Sequence, residues 1–177
     1  METITAIKTR RSVRNWLDKD VPDEILNRIL DAGRWSPSPL NCQPWHFIVL
    51  KQKNTINKLL PEARHGSFLS QVNVVIVVTV DNNTSIDLWL SEHKQHIVSG
   101  ACTMQNMMLA GWDLGIGSCC VTLDNSTTHE LLEIPENQVI MGSIALGYPK
   151  ETPDPHSDSD RKPLEDFIFY EKFGEKK

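Results

Sequence analysis

The spacing of apolar residues predicts helices in three parts of the chain. Ile4 and Ile7 lie at helical spacing and predict a short first helix that ends in a basic cluster. Pro22 stands at a position typical of a first helical residue and opens a second helix, which Gly33 helps to end. Residues 97–114 contain no proline, and their apolar side chains cover nearly the whole circumference of a helix. A helix of this kind is typically buried.

Two smaller signals refine these helices. Gly100 and Gly111 lower the helix propensity of the third one, which indicates close packing against a neighbouring helix. Thr127 and Glu130 have the spacing of a capping box and predict the start of a further helix near residue 127.

Four short apolar runs predict strands. Residues 46–50 and 73–80 are rich in β-branched residues without a clear alternation, which indicates buried strands. Residues 118–122 and 138–146 are further strand candidates.

Two proline-rich stretches separate these elements, and an apolar tail ends the chain. Residues 36–44 contain three prolines and predict a stiff, polar, extended loop. Residues 149–163 are polar and predict a surface connection. The tail must pack either on the chain's own sheet or on that of a partner. Its apolar residues are Leu164, Phe167, Ile168, Phe169, Tyr170 and Phe173.

Length, charge and cysteine spacing disfavour several kinds of protein. The chain has 177 residues, which predicts a single domain over residues 1–177. Its formal charge of −5 disfavours a general nucleic-acid binder. The sequence shows neither a secretory leader nor a long apolar span, so we expect a cytoplasmic protein without membrane segments. The four cysteines have the spacing of neither a zinc site nor a disulfide framework.

A basic segment near the N-terminus is the first candidate for binding chemistry. Arg10, Arg11 and Arg14 surround Ser12, and guanidinium groups beside a hydroxyl suit a phosphate or the electron-rich edge of a nucleotide or flavin. The alternative is a solvated helix end whose cations complement the helix dipole. Arg161 begins a second basic pair, whose alternative interpretation is ordinary ion pairing with its acidic neighbours. That pair and its neighbours are Arg161, Lys162, Asp158, Asp160, Glu165 and Asp166.

Two other candidate binding segments also have a purely structural interpretation. Ser38, Asn41 and Gln43 offer groups that recognise a heterocycle edge, or they stabilise a turn. The glycines of residues 115–118 bring backbone N–H groups near a ligand, or they join a helix to a strand. The sequence contains neither a GxGxxG motif after a strand nor a P-loop motif.

The spacing of the cysteine pair and of the histidine pair favours structural roles over redox catalysis and metal binding. Cys119 and Cys120 lie in a predicted strand, where adjacent side chains face opposite sides, and inert packing is favoured over redox catalysis. His93 and His96 are three residues apart but lack a third ligand, which favours surface histidines over a metal site.

Taken in order, these segments closely resemble the nitroreductase family of FMN-dependent oxidoreductases, in its compact branch. The resemblance runs from the first helix almost to the C-terminus. The matching segments are Ile7-x-x-Arg10-Arg11-Ser12-x-Arg14, Pro37-Ser38-x-x-Asn41-x-Gln43-Pro44-Trp45-x-Phe47, Leu109-Ala110-x-x-x-Leu114-Gly115-Ile116-Gly117-Ser118, Gly147-Tyr148-Pro149 and Arg161-Lys162-Pro163-Leu164-Glu165.

The resemblance implies an α+β fold with a central, mostly antiparallel sheet flanked by helices. It also implies an intertwined homodimer with two FMN sites at the subunit interface. The helix over residues 97–114 would then lie at that interface, and the C-terminal arm would complete the partner's sheet.

The resemblance further implies residue roles. Arg10, Ser12 and Arg161 would bind the FMN phosphate with help from Arg11, and Arg14 would face the N1–C2=O edge of the flavin. The remaining implied contacts come from the proline-rich loop and from the strand whose backbone lies beside flavin N5. They are Ser38, Pro39, Asn41, Gln43, Cys119, Cys120, Val121 and Thr122.

The implied activity is hydride transfer from NADH or NADPH through flavin N5 to a small organic acceptor, such as a nitroaromatic or a quinone, in a ping-pong cycle. The flavin carries this chemistry, so no side chain is assigned as acid or base. A specialised dehalogenase or enone reductase is one alternative. A flavin-binding protein without turnover is another.

Overall fold

The computed structural model describes residues 1–82, 88–154, 157 and 160–177, and this part of the chain contains both helices and strands. Asp158, one of the acidic residues near Arg161, lies outside the described residues. The helices are α1 Thr3–Thr9, α2 Asp23–Arg34, α3 Lys53–Lys58, α4 Leu88–Glu92, α5 Gln95–Asp113 and α6 Asn125–Leu131. The strands are β1 Trp45–Leu50, β2 Val74–Asp81, β3 Gly117–Val121 and β4 Gln138–Gly147.

The four strands form one sheet in the order β1-β2-β4-β3, and every pairing is antiparallel. The predicted α+β class with an antiparallel sheet and flanking helices is confirmed. A bulge interrupts the β2–β4 pairing after Val78, opposite Gly142, whose φ of +126° is accessible to glycine. Met141 is therefore the extra residue of β4 that has no partner in the register.

Helices cover both faces of the sheet, so the central strands are buried. On one face, Ile76 of β2 and Ile144 of β4 pack with Ile29 of α2 and Met107 of α5. The other face packs against α3, the segment that follows α1 and the residues around α6. Because both faces of β2 are covered, its side chains are apolar on both faces and do not alternate with polar ones, as predicted.

Strand β1 corrects the prediction of a buried strand over residues 46–50. It lies at an edge of the sheet and pairs only with β2 among the described strands. His46 is exposed and Phe47 is half-buried. The apolar sequence of this strand predicts full burial, but an edge position leaves part of it uncovered.

Helix α5 is less buried than the sequence predicts. Val98 is 53% exposed, and the buried positions form one face that packs on the sheet and on α2. Gly100 does meet a close neighbour, but that neighbour is the sheet, since a Cβ there would stand 2.8 Å from Val80 Cγ1. Gly111 faces α2, where a Cβ would stand 3.6 Å from Ile29 Cδ1.

The structure also corrects three local predictions. Residues 36–44 do not form an extended loop, because they wind into a 3-10 turn at Pro39–Asn41. Helix α6 is capped by Asp124, whose carboxylate accepts from the backbone N–H of Thr127, so the helix begins before the predicted capping box. Pro22 is the N-cap of α2, and Gly33 lies within its last turn.

The C-terminal tail adds no strand to the chain's own sheet within the described residues. The hydrogen bonds of residues 161–177 join residues of the tail to one another, as between the Tyr170 N–H and the Glu175 carbonyl at 2.9 Å. Phe167 is 66% exposed and Phe173 is 92% exposed. Within the described residues, the tail therefore does not pair with the chain's own sheet.

No helix within the described residues is long and apolar enough to cross a membrane.

Candidate functional site

The basic segment after α1 is held against the start of β3. The Val13 N–H donates to the Ser118 carbonyl at 2.9 Å, and Ser12 and Ser118 form a parallel bridge. The indole N–H of Trp16 donates to the Gly117 carbonyl at 3.2 Å. These bonds fix the backbone on which Arg10, Ser12 and Arg14 are mounted.

Small residues of β3 and β4 make room for this segment. A Cβ at Gly117 would stand 2.6 Å from Val13 Cγ2, and one at Gly147 would stand 2.9 Å from Trp16 Cδ1. Gly115 has a φ of +76° and open space around it. The two glycines of residues 115–118 thus have separate roles, since Gly115 ends a turn and Gly117 admits the basic segment.

Arg11 is buried and bonded to the chain's own backbone. One of its terminal nitrogens, Nη1, donates to the carbonyls of Lys8 and Arg10, each at 2.8 Å, and its Nε donates to the Asp154 carbonyl at 3.3 Å. Its Nη2 is buried without a hydrogen-bond partner within the described part of the chain. Arg11 therefore links the end of α1 to the polar connection at Asp154.

Arg10, Ser12 and Arg14 differ in exposure but lie along the same edge. Arg10 is half-buried, and its Nε has no acceptor among the described residues. Ser12 and Arg14 are exposed, and the Arg14 guanidinium carbon lies 5.9 Å from the centroid of the Phe68 ring. No sequence signal pairs Phe68 with Arg14, because the contact joins distant parts of the chain.

Cys119 and Cys120 face opposite sides of β3, as predicted, since Cys119 belongs to one apolar core and Cys120 is exposed at the sheet edge. Burial raises the pKa of the Cys119 thiol, and the nearby Arg14 and Arg10 together with a hydrogen bond to Ser12 oppose that rise. Partial burial also raises the pKa of Cys120, followed by the effect of Cys119. Both thiols are thus kept protonated, and the arginines lie close enough to β3 to act on them electrostatically.

The last two residues of the predicted flavin-contacting strand, Val121 and Thr122, already make contacts within the chain. Val121 is buried in the core, and the carbonyl of Thr122 accepts from the Arg64 N–H at 3.2 Å.

Beside the basic segment lies a cleft of about 320 Å³, lined by residues 12–15 and 151–154. Ser12 and Arg14 both line this cleft.

The proline-rich loop closes on itself. The Gln43 N–H donates to Ser38 Oγ at 3.0 Å, and the Gln43 side-chain amide donates to the Asn41 carbonyl at 3.3 Å. Leu40, Asn41 and Gln43 all have positive φ values, of 50°, 55° and 47°. Left-handed backbone is strained for Leu40 and Gln43, though not for an asparagine, and strain of this kind concentrates at functional sites. The loop is compact, and its exposed amide groups remain available to a ligand.

Within one chain, the loop and the basic segment lie at opposite edges of the sheet. The loop leads into β1, and the Pro44 carbonyl accepts from the Asp81 N–H at 2.8 Å. The basic segment lies on β3, three strand positions away, which is roughly 14 Å at about 4.8 Å per strand. The structure therefore does not bring Ser38, Pro39, Asn41 and Gln43 together with Arg10, Ser12 and Arg14.

Arg161 is also not brought to the basic segment. It is exposed and begins the tail, whose hydrogen bonds are internal.

The histidine pair divides into one surface and one buried residue. His93 is exposed and stacks on Trp89, with ring centroids 3.9 Å apart. His96 is only 8% exposed, so the prediction that both are surface histidines is wrong for His96. The described residues contain no group of three or more ligands that could hold a metal.

Comparison with known proteins identifies a family and several relatives. A model of the nitroreductase family matches residues 7–148. A protein of Archaeoglobus fulgidus with the provisional name NADH dehydrogenase/NAD(P)H nitroreductase is 35% identical over 168 residues, which are 90% of this chain and 92% of the relative. A protein of Methanothermobacter thermautotrophicus with the same provisional name is 32% identical, over 86% of this chain and 80% of the relative.

Solved structures agree over nearly the whole chain. A nitroreductase family protein of Clostridium difficile superposes with a TM-score of 0.83 at 28% identity, covering 98% of this chain and 100% of that one. A protein of Desulfovibrio desulfuricans, provisionally described as a nitroreductase in complex with FMN, has a TM-score of 0.79 at 28% identity and covers 98% of each chain.

Proposed function

Because the chain belongs to the nitroreductase family, we propose that it is an FMN-dependent oxidoreductase that takes hydride from NADH or NADPH and reduces a small organic acceptor. Nitroaromatic and quinone compounds are the acceptor classes that we propose. The proposal is supported by the NAD(P)H nitroreductase names of two relatives and by the FMN complex of a structural neighbour.

The observation that carries the proposal is a set of cationic donors without acceptors. Arg10 Nε and Arg11 Nη2 are buried and unpartnered within the described chain, and Ser12 and Arg14 are exposed on the same short segment. A buried donor without an acceptor costs about 1–3 kcal/mol, and a bound anion with several oxygens would relieve that cost. The donor set therefore fits a phosphate group beside β3.

In the proposed site, Arg10 and Ser12 hold the FMN phosphate. Arg161, which contacts neither of them within the described chain, would join them from the tail. Arg11 contributes by fixing the backbone, since its bonded nitrogens hold the end of α1 and Asp154 in place. Arg14 presents its cation to the N1–C2=O edge of the flavin. When bound, FMN would supply the hydride transfer between NAD(P)H and the acceptor through N5, in a ping-pong cycle.

The other proposed contacts are backbone and amide groups. The main chain of Cys119, Cys120, Val121 and Thr122 would lie along the flavin. The Cys119 thiol is buried and packs in the core, the Cys120 thiol is exposed, and desolvation raises the pKa of both, so both stay protonated. Ser38, Pro39, Asn41 and Gln43 supply a polar surface against the ring of a second copy's flavin.

We propose a homodimer because one chain separates the two halves of this site. The loop lies at the β1 edge and the basic segment at the β3 edge, so a second copy is needed to bring them together. The exposed apolar side chains of the tail, such as Phe167 and Phe173, need a surface to cover them. Arm exchange onto the partner's sheet would provide that surface.

We also propose that residues 1–177 form a single domain. Both apolar cores share the same four-stranded sheet, so neither has a separate scaffold.

Identification of the cofactor and of its reactivity tests this function. Acid release of the bound flavin followed by chromatography should yield FMN and not FAD, because the site offers one phosphate cluster and no pyrophosphate loop. NAD(P)H oxidation should depend on an added quinone. A yellow protein that NAD(P)H does not bleach would instead be a flavin-binding protein without turnover, and a predominance of FAD would contradict the proposal.

A further inference from the structure

Phe68 is the aromatic partner that the structure gives to the exposed Arg14. The guanidinium carbon of Arg14 lies 5.9 Å from the centroid of the Phe68 ring, within the range of a cation–π contact. Arg14 takes part in none of the ion pairs that join described residues. The ring therefore limits where this guanidinium points, and no carboxylate within the described chain competes for it.

The Phe68 ring is held in place by the core. It packs against Trp16, with ring centroids 5.8 Å apart and ring planes inclined by 50°. Trp16 is only 5% exposed, and its indole N–H is bonded to the Gly117 carbonyl. Phe68 thus lies between a fixed indole and a guanidinium, both of which belong to the basic segment.

The backbone around Phe68 is also fixed. The residue belongs to a 3-10 helix, Ser67–Gln71. At the end of this helix, the Lys53 ammonium donates to the Ser70 carbonyl at 3.1 Å and to the Val72 carbonyl at 2.8 Å. The position of the ring is therefore set by the fold and does not depend on Arg14.

The chain just before this 3-10 helix runs beside the end of β3. The Arg64 N–H donates to the Thr122 carbonyl at 3.2 Å, and the Asp124 N–H donates to the Glu62 carbonyl at 2.8 Å. Phe68 therefore follows a segment that is bonded to the strand proposed to flank the flavin.

The Arg14 cation acts on β3 from this position. Burial raises the pKa of the Cys119 thiol, and Arg14 is the largest of the effects that oppose this rise. Because the interaction between charges weakens with distance, the guanidinium must stay near β3 to have such an effect. An arginine side chain is long and flexible, so a group that restrains it determines how much of the time its charge is there.

We propose that Phe68 is a positioning residue for Arg14, whose guanidinium it holds at the β3 edge so that the cation faces the N1–C2=O edge of the flavin. This inference rests on the proposed function. A leucine in place of Phe68 would still pack against Trp16 but would lack the electron-rich face that attracts a cation.

Midpoint potentials of the full chain saturated with FMN test the proposal. F68L should lower the potential in the same direction as R14A but by less, because the preferred orientation of Arg14 becomes about two- to fivefold less populated, the range for an exposed cation–π contact. F68Y keeps an aromatic face and should retain the original potential. In the R14A background, F68L should cause no further shift, because Phe68 acts through Arg14.

The mobility of Arg14 provides a second readout, which does not involve electron transfer. NMR relaxation of the Arg14 Nε–H group should give a higher order parameter than that of Arg28, an exposed arginine of α2. F68L should remove this difference, and F68Y should retain it. If F68L fails to fold, the comparison of Arg14 with Arg28 in the unsubstituted protein still decides.

The possible failures are distinguishable. Equal order parameters of Arg14 and Arg28, an unchanged potential in F68L while R14A lowers it, or a further shift by F68L in the R14A background would overturn this inference alone. Bound FMN whose potential does not respond to R14A would overturn the role of Arg14 and this inference with it. A protein that binds no FMN would overturn the proposed function as well.

Discussion

Three arginines within five residues serve different physical purposes. Arg11 is buried and donates from two of its nitrogens to backbone carbonyls, which fixes the chain around the end of α1. Arg10 is half-buried with an unpartnered Nε among the described residues, and Arg14 is exposed beside the Phe68 ring. A guanidinium that already has acceptors stabilises the fold, and one that lacks them is available to a ligand. The segment therefore combines a mainly structural arginine, of which only Nη2 is unpartnered within the described chain, with two arginines that we propose bind the cofactor.

The roles proposed for Arg14 and Arg161 lead to different expectations when each is substituted. R14A should lower the midpoint potential of the bound flavin, because a cation near the ring favours its negatively charged reduced state. R161A should mainly weaken FMN retention, by about ten- to hundredfold, which corresponds to roughly 1.5–3 kcal/mol for an ionic hydrogen bond. Spectroelectrochemistry and flavin titration measure the two effects.

R28A is the matched control, since Arg28 is an exposed arginine of α2. It should change neither potential nor affinity. Small and equal effects of R14A and R161A on both quantities would show that these arginines do not have the proposed roles.

His96 predicts a pH dependence of stability. Burial lowers its pKa below the ordinary value of 6.5; Asp81 opposes this change and Lys94 adds to it. Between the lowered pKa and 6.5 the unfolded chain binds more protons than the folded one, so stability is full above 6.5 and falls as the pH decreases. H96Q should show a smaller loss of unfolding free energy than the unsubstituted protein between about pH 7.5 and 5.5 in urea titrations. H93Q should behave like the unsubstituted protein, and an undiminished loss in H96Q would contradict the assignment.

At the scale of single residues, the sequence could identify candidate groups but not their partners. The cluster of Arg10, Ser12 and Arg14 is evident from residue types and spacing. The Phe68 ring beside Arg14 and the Asp154 carbonyl beside Arg11 are long-range contacts, which no local pattern encodes. The burial of His96 escapes prediction for the same reason, because it depends on how α5 crosses the ends of β2 and β4.

Two glycines of α5 provide a prediction at the scale of elements. A Cβ at Gly100 would stand 2.8 Å from Val80 Cγ1, a fully buried and stiff side chain, so G100A should cost about 1–3 kcal/mol of unfolding free energy. The nearest atom to a Cβ at Gly111 is 3.5 Å away, an ordinary contact. G111A should therefore be neutral or stabilise the protein by up to about 1 kcal/mol through helix propensity. Chemical denaturation of both variants measures the difference, and equal stabilities would contradict the packing of α5 on the sheet.

Element prediction succeeds where one local signal dominates. Strand β2 is covered on both faces, and its continuous apolar run indicates this directly. The prolines of residues 36–44 predict an extended loop because proline restricts its neighbours, but a hydrogen bond from the Gln43 N–H to Ser38 Oγ closes the loop instead. Asp124 and Thr127 are both good capping residues, and the choice between them depends on where the preceding chain leaves β3.

At the scale of the whole molecule, one chain provides two separated halves of the proposed site and an uncovered apolar tail. The loop and the basic segment lie on opposite edge strands. The tail exposes Phe167, Phe173 and Leu164, which is 67% exposed. Burial of a large apolar side chain stabilises by roughly 1.5–3 kcal/mol, so coverage of this tail by a second copy would contribute several kcal/mol.

Removal of residues 164–177 should therefore abolish dimerisation and flavin binding together. The truncated protein should aggregate or stay colourless, as followed by sedimentation and by absorbance of the same samples. L88S is a control outside the tail, since Leu88 is 81% exposed, and it should stay dimeric and yellow. A soluble, yellow, monomeric truncated protein would refute the exchanged arm.

Anaerobic stopped-flow absorbance of the purified full-length protein tests the central claim most directly. Mixing with NADH or NADPH should bleach the flavin band with one equivalent of nucleotide per bound flavin, and subsequent mixing with a quinone should restore it. Failure of both nucleotides to bleach the bound flavin, or of the bleached protein to pass its electrons to any quinone or nitroaromatic acceptor, would contradict the proposed oxidoreductase.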